Sequence, residues 1–147
     1  MIAHLKKNTR GAVPGLAVHF ERKTDHHTNK EIDVSKSYLN QDLMADGSDM
    51  LSRFNARLND VYCMKRDDVK VLATWIVTLP EELTEAPYEQ QSAFLEATTN
   101  FLNDRYGQEN TVAAVVHYDE TAPHLRYAFS LVFLYNNPYK KLLKQPL

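Results

Sequence analysis

Two strand-like runs lie so close together in this chain that only one kind of connection can join them. Thr111 to Tyr118 is apolar and β-branched. His124 to Leu134 is a second run, strictly alternating in its first half, and only Asp119 to Pro123 lies between them. A parallel crossover needs a dozen or more residues, so the two runs are expected to pair as an antiparallel hairpin. Side chains alternate across a strand. Ala113, Val115 and His117 therefore share one face of the first run. In the second, His124, Arg126 and Ala128 point one way and Leu125, Tyr127 and Phe129 the other.

The remaining elements follow from periodicity. Ile2 to Leu5 reads as a short strand, followed by a basic turn with Asn8 and Gly11, and Gly15 to Phe20 as a second extended stretch. Glu21 to Asn40 is a polar loop, of a length that in a compact domain often carries function. Ser48 is placed as a helix N-cap with Asp49 in the first turn. Leu51, Phe54, Leu58, Val61 and Tyr62 then recur at helical spacing. Val71 to Leu79 predicts a central strand ended by Pro80, with Val71, Ala73, Trp75, Val77 and Leu79 on one face. Pro87 suits the first position of a second helix, on which Phe94, Thr98, Phe101, Leu102 and Tyr106 trace a face, and Gly107 suits its end. The order predicts an α+β fold, an antiparallel β-sheet with helices packed mainly on one face. No internal repeat or boundary divides it. Residues 1–135 form one expected domain, and 136–147 a basic tail after the break at Asn136-Asn137-Pro138.

Composition narrows the setting. No apolar run approaches the roughly 20 residues that span a bilayer, and Met1 to Arg10 is too polar for a secretory signal. The single cysteine, Cys63, cannot close an internal disulfide; it is expected to be a small buried or half-buried helix residue, which suits a reducing cytoplasm. The overall charge of −2 is unevenly spread, with a net of +3 over residues 1–40, −9 over 41–123 and +4 over 124–147. The two ends can meet a polyanion while the middle stays in solvent; an ordinary surface with uneven charge fits as well.

Three clusters carry candidate chemistry. In the first, the hairpin brings His117 and His124 together, with Asp119 and Glu120 in the link. Neutral imidazole is the commonest nitrogen ligand for a divalent metal, and the carboxylates can add oxygen ligands or orient a histidine. A hydrogen-bonded structural histidine is the plainer reading. Arg126 stands where a third ligand would sit, yet a guanidinium has no lone pair to give; it can grip a phosphate in two places or lie solvated at the edge. The second cluster is His19-Phe20-Glu21-Arg22. Histidine as nucleophile would attack phosphorus to give a phosphoramidate, and Arg22 would suit a phosphate contact. The third runs from His27 through Asn29, Lys30, Ile32, Asp33, Ser35, Lys36 and Ser37 to Asn40. Short polar side chains and lysines of this kind contact phosphate and sugar. The same types also hold a loop together through Asx and Ser turns.

These three clusters, in this order, resemble the plasmid mobilisation and recombination relaxases of the Mob/Pre type, within the nucleases that carry a histidine-hydrophobic-histidine motif. His19-Phe20-Glu21-Arg22 resembles the family's N-terminal His-x-x-Arg motif, and His27 to Asn40 its middle motif. His117 to Arg126 resembles its metal motif, His-x-Asp-Glu-x-x-Pro-His-x-His. The motif likeness runs from the N-terminus to about Phe129.

The resemblance implies a cytoplasmic site-specific nickase for plasmid DNA, single-stranded or hairpin, at a transfer origin. It cuts one strand, becomes linked to the 5′ phosphate and can later rejoin the strand. On that likeness His19 stands at the nucleophile's position and Glu120 at that of its activating carboxylate. His117 and His124 match two of three ligands to Mn2+ or Mg2+, with Arg126 at the third. Arg22, His27, Asn29, Lys30, Ser35, Lys36 and Ser37 are the expected DNA contacts. Arg126 and an end at Leu147, short of the family's further sequence, predict impaired nicking in a shortened form of a longer protein. The alternatives are a non-catalytic DNA-binding remnant of the fold, an unrelated small metal-dependent hydrolase and an inert structural domain.

Overall fold

The computed structural model describes residues 1–44, 46–60 and 66–131. Cys63, Val61, Tyr62, the run from 132 to Leu134 and the tail 136–147 lie outside these, and with them the expectations placed there. Strands β1 (Ala3–Thr9), β2 (Gln41–Asp42), β3 (Lys70–Thr78), β4 (Thr111–His117) and β5 (His124–Ser130) form one sheet in the order β1-β3-β5-β4-β2. Every pairing is antiparallel. Helices α1 (Val13–Phe20), α2 (Met50–Asp60) and α3 (Tyr88–Tyr106) complete the α+β fold. No helix among the described residues is long and apolar enough to cross a membrane.

The hairpin expected from the short link is present, and its register pairs His117 with His124. Next to it, β3 lies between β1 and β5, so its backbone is paired on both edges.

Register divides the sheet into two faces, since residues directly opposite share a face. Ala73, Trp75 and Val77 of β3 oppose Phe129, Tyr127 and Leu125 of β5. These residues, apart from the half-buried Trp75, form a core with Leu95 and Leu102 of α3. On the other face Leu72, Ala113 and Ala128 pack with Val13, Ala17 and Phe20 of α1 and Met50 and Phe54 of α2. The expectation of helices mainly on one face gives way to a layer on each. Alternation along β3, β4 and β5 supplies apolar residues to both faces, so neither can be left to solvent.

Gly15 to Phe20 is helical rather than extended. Pro14 opens α1 in its first turn, where its missing N–H and fixed φ cost nothing. Val13, Ala17 and Phe20, spaced four and three apart, all point inward. Asp49, one residue beyond the expected Ser48, caps α2: its Oδ1 accepts from Ser52 N at 2.8 Å. Arg53 ties that helix to the preceding loop through Asp46 Oδ1 at 2.8 Å and the Ser48 carbonyl at 2.7 Å. Gly107 ends α3 at φ +90°, a backbone angle that favours glycine. The buried side of α3 is Leu95, Thr99 and Leu102, rotated from the expected face, and Phe101 is 63% exposed.

Candidate active site

The end of α1, the segment following it and the β4–β5 link converge at one end of the sheet. His117, fully buried, directs Nε2–H at the carbonyl of Phe20, 2.9 Å away. That bond fixes the neutral tautomer and leaves the Nδ1 lone pair buried without a partner among the described residues. His124 is held in mirror fashion: Nδ1–H donates to the Ala122 carbonyl at 3.0 Å, and Nε2 is the buried, unpartnered atom. The rings meet edge to face, 5.5 Å between centroids.

Glu120 sits between the two lone pairs. Its Oε1 is 4.0 Å from His117 Nδ1 and its Oε2 is 3.6 Å from His124 Nε2. Ligand atoms of the three residues all lie within 4.8 Å of one another. Burial holds the His117 imidazole down at about 3 and lowers His124 as well. Burial would raise Glu120, but its position beside His124, the hydrogen bond from Arg22 and the charges of Arg126 and Arg22 outweigh that and hold it below the usual carboxylate range. Two neutral imidazoles and one carboxylate, with orphaned atoms facing inward and backbone carbonyls behind the rings, form a donor set that fits a divalent ion. The orienting carbonyl of Phe20 has no signature in sequence, because any residue supplies one.

Arg22 occupies a different place from the one expected. Its Nε and Nη2 donate to the two oxygens of Asp119 at 2.8 and 3.0 Å, and Nη2 also to Glu120 Oε1 at 2.8 Å. Its Nη1 donates to the His19 carbonyl at 2.9 Å and meets His19 Nδ1 at 3.4 Å. All the guanidinium donors are engaged inside the protein, at a left-handed backbone φ of 52°, so the fork that seemed suited to a DNA phosphate organises the site instead. Asp119, fully buried, is raised by burial but held well below its ordinary range by Arg22 and Ser37. Ser37 Oγ donates to Asp119 Oδ2 at 2.7 Å and is likewise turned inward.

His19 is half-buried, its ring 6.1 Å from that of His117 and perpendicular to it. Burial first, then the charges of Arg126 and Arg22, bring its pKa down to about 4. No hydrogen bond joins it to Glu120; Arg22 stands between them. Of the other expected contacts, Lys30, Ser35 and Lys36 are exposed, and His27 and Asn29 are half-buried. Asn29 Oδ1 accepts from Glu31 N at 3.0 Å, and Asp33 Oδ1 caps the 3-10 turn Val34–Leu39 through Ser35 N at 3.1 Å. The loop is therefore held by the Asx turns that its composition allowed. Asn40, the last residue of the third cluster, turns inward: its Oδ1 accepts from Tyr118 N at 2.7 Å and fastens this loop beside the metal-binding candidates.

Arg126 projects from β5 on the face of His124, between Ile76 and Val115 on the flanking strands. It is half-buried. Its Nε is shut off from solvent and has no hydrogen-bond partner among the described residues.

This arrangement has relatives. A plasmid recombination enzyme of Lactiplantibacillus plantarum is 34% identical over 129 residues, which are 84% of this chain and 36% of the relative. One of Bacillus thuringiensis is 31% identical over 130 residues, 84% of this chain and 28% of the relative. The chain thus spans about a third of the length of these curated relatives. Among solved structures, the manganese-bound MobM relaxase domain on plasmid pMV158 oriT DNA superposes with a TM-score of 0.76. It is 28% identical, and the match covers 87% of this chain and 68% of that one. The family described as plasmid recombination enzyme, Mob/Pre, matches residues 1–143, extending past Phe129, where the motif likeness stops. The chain belongs to the Mob/Pre family of plasmid recombination enzymes.

Proposed function

We propose that this chain is a relaxase domain that nicks one strand of plasmid DNA at a transfer origin, with His19 as nucleophile, in the cytoplasm. The observation that carries the reading is the pair of buried, unpartnered imidazole nitrogens facing each other across Glu120, with His19 beside them. His117, His124 and Glu120 would hold Mn2+ or Mg2+, and the manganese in the MobM structure supports that choice. When bound, the ion supplies Lewis-acid polarisation of the scissile phosphate.

The protein's own groups do the rest. With its pKa near 4, His19 is neutral at pH 7 and keeps a lone pair for attack. A nitrogen–phosphorus bond forms as the bond from phosphorus to the 3′ oxygen breaks. The ring gives up its remaining proton, and the departing 3′ oxygen gains one. Arg22 is a positioning residue: it fixes the backbone of His19 and aligns Asp119 and Glu120. The Nη1 contact at His19 Nδ1 favours the tautomer with its proton on Nε2. Attack through Nε2 therefore requires the proton to shift and that contact to open. Lys30, Ser35 and Lys36, exposed on the loop beside the site, suit contacts to the strand's phosphates, with His27 and Asn29 at their side.

The test is nicking of supercoiled plasmid carrying a cognate origin, in manganese. A relaxed product and a protein–DNA adduct that falls apart in acid, as a phosphoramidate does, are expected, and both disappear in His19→Ala. Nicking that survives His19→Ala refutes the assignment. A second reading, a DNA-binding remnant that does not cut, is favoured by Arg126 in the third ligand position. It predicts strand binding with no adduct. Family membership disposes of the unrelated hydrolase.

A further inference from the structure

Among the described residues of the site, Arg126 is the cation held by no hydrogen bond or close ion pair; Glu120 acts on it only through charge at longer range. Arg22 gives its donors to Asp119, Glu120 and His19. Arg126 forms no ion pair among the described residues, and its shielded Nε has no acceptor. Its neighbours across the sheet, Ile76 and Val115, are aliphatic. A half-buried guanidinium in such surroundings is costly unless an anion meets it. It follows His124 by two residues on the same face, about 7 Å along the strand, and so borders the His117–Glu120–His124 cluster. The planar guanidinium fork matches two oxygens of a phosphodiester.

We propose that Arg126 is a phosphodiester clamp that grips the DNA strand before any metal is present and makes metal binding conditional on the bound strand. The proposal rests on the relaxase reading for the identity of the strand, but the clamp itself is a property of the site. Without a phosphate, the arginine's charge opposes a divalent ion at the adjacent donors. A bound phosphodiester brings one negative charge, cancels that opposition and lends its own oxygens to the ion. Each ligand then favours the other by the same factor, as linkage requires. A histidine at this position would instead add a third nitrogen donor and let the metal bind first.

Two measurements test this on the full chain. The first uses dimethyl phosphate as probe, in EDTA, and follows the Nε–H resonance of Arg126 by nitrogen-15 NMR. A saturating shift that excess chloride does not reproduce is expected. An unmoved resonance overturns the clamp, whether or not plasmid is nicked. The second is calorimetric titration of Mn2+ with and without a mixed-sequence single-stranded oligonucleotide. In the native chain Mn2+ affinity should rise roughly tenfold when the oligonucleotide is bound, within the range usual for coupled sites. In Arg126→Gln, Mn2+ should bind the free protein more tightly and the coupling should vanish. Equal coupling in both proteins overturns the gating. Loss of nicking with the coupling intact would instead count against the relaxase reading alone.

Discussion

Arg22 and Asp119 lie 97 positions apart in the chain and meet in a two-pronged pair, Nε to Oδ2 at 2.8 Å and Nη2 to Oδ1 at 3.0 Å. The arginine side chain is 7% exposed and the aspartate 0%. Removing one partner strands the other charge in the interior. Arg22→Ala is expected to cost about 3–5 kcal/mol, read as a fall in the urea midpoint. Arg22→Lys should lie in between, because an ammonium cannot reproduce the fork. A change within error for Arg22→Ala would mean that the pair does not anchor α1 to the β4–β5 link.

The rotated face of α3 gives a sharper contrast between two apolar residues. Leu95 is fully buried and Phe101 is 63% exposed. Leu95→Ala should therefore lose about 2–5 kcal/mol, and Phe101→Ala about 0.5 kcal/mol, although phenylalanine is the larger side chain. Thermal unfolding of the two variants decides it, and the reverse order would restore the face that spacing alone suggests.

Phe101 illustrates how far the sequence could be followed. Periodicity located β3, β4, β5, α2 and α3 because each is long and apolar on at least one side. The five-residue link fixed the hairpin, and with it the meeting of His117 and His124. Spacing could not choose between the two faces of α3, since both carry apolar residues and only the sheet decides which one is covered. The stretch ending at Phe20 reads as extended because it is short, mostly apolar and opened by Gly15 after Pro14. Its helix depends on packing against α2, which no local window contains. For the same reason the sequence alone points Arg22 toward DNA. A guanidinium suits a phosphate and a buried carboxylate equally, and Asp119 lies far away in sequence. Arg126 alone kept the ambiguity its sequence context gave it.

Gly107 closes α3 at φ +90°, and a Cβ built there would lie 2.8 Å from Glu109 Oε1 and 3.0 Å from Asn110 Nδ2. The left-handed backbone itself costs a non-glycine residue roughly 1–2 kcal/mol. Gly107→Ala should lower the melting temperature by a corresponding step while leaving Mn2+ affinity unchanged, because the site lies at the other end of β4. An altered metal affinity would show that this turn is coupled to the site.

The donor set makes its own prediction about metal. His117→Ala and His124→Ala each remove one of two nitrogen donors, and Glu120→Gln removes the carboxylate charge between them. All three should weaken Mn2+ binding by an order of magnitude or more in calorimetric titration with oligonucleotide present, at least as strongly as loss of an orienting partner, which costs about 10–100-fold. His27→Ala, on the neighbouring loop, should leave it within about twofold, inside the ordinary scatter of surface changes. A Glu120→Gln protein that binds Mn2+ as tightly as the native chain would eliminate Glu120 as a ligand and leave its bond to Arg22 as its role.

Acid should loosen the fold before it protonates the carboxylates. In the folded protein burial holds His117 at about 3, and burial with the nearby arginine charges holds His19 at about 4. In the unfolded chain both rings titrate near 6.5. Between those values the unfolded state binds more protons, so stability must fall as pH falls. The contribution is complete above pH 6.5 and drains away toward pH 4 for His19 and pH 3 for His117, with a limiting slope of about 1.4 kcal/mol per pH unit for each ring. Asp119 acts lower down: its depressed pKa adds stability above its ordinary value that is lost as pH drops through that range. Urea unfolding in EDTA, which removes metal from the balance, should thus give a midpoint at pH 5 clearly below that at pH 7.5. His117→Gln can keep the bond to the Phe20 carbonyl but has no proton to take up, so it should flatten the slope. If the native chain is equally stable at both pH values, His117 and His19 are not held neutral by the fold, and the inward-facing His117 lone pair on which the metal site depends would not exist.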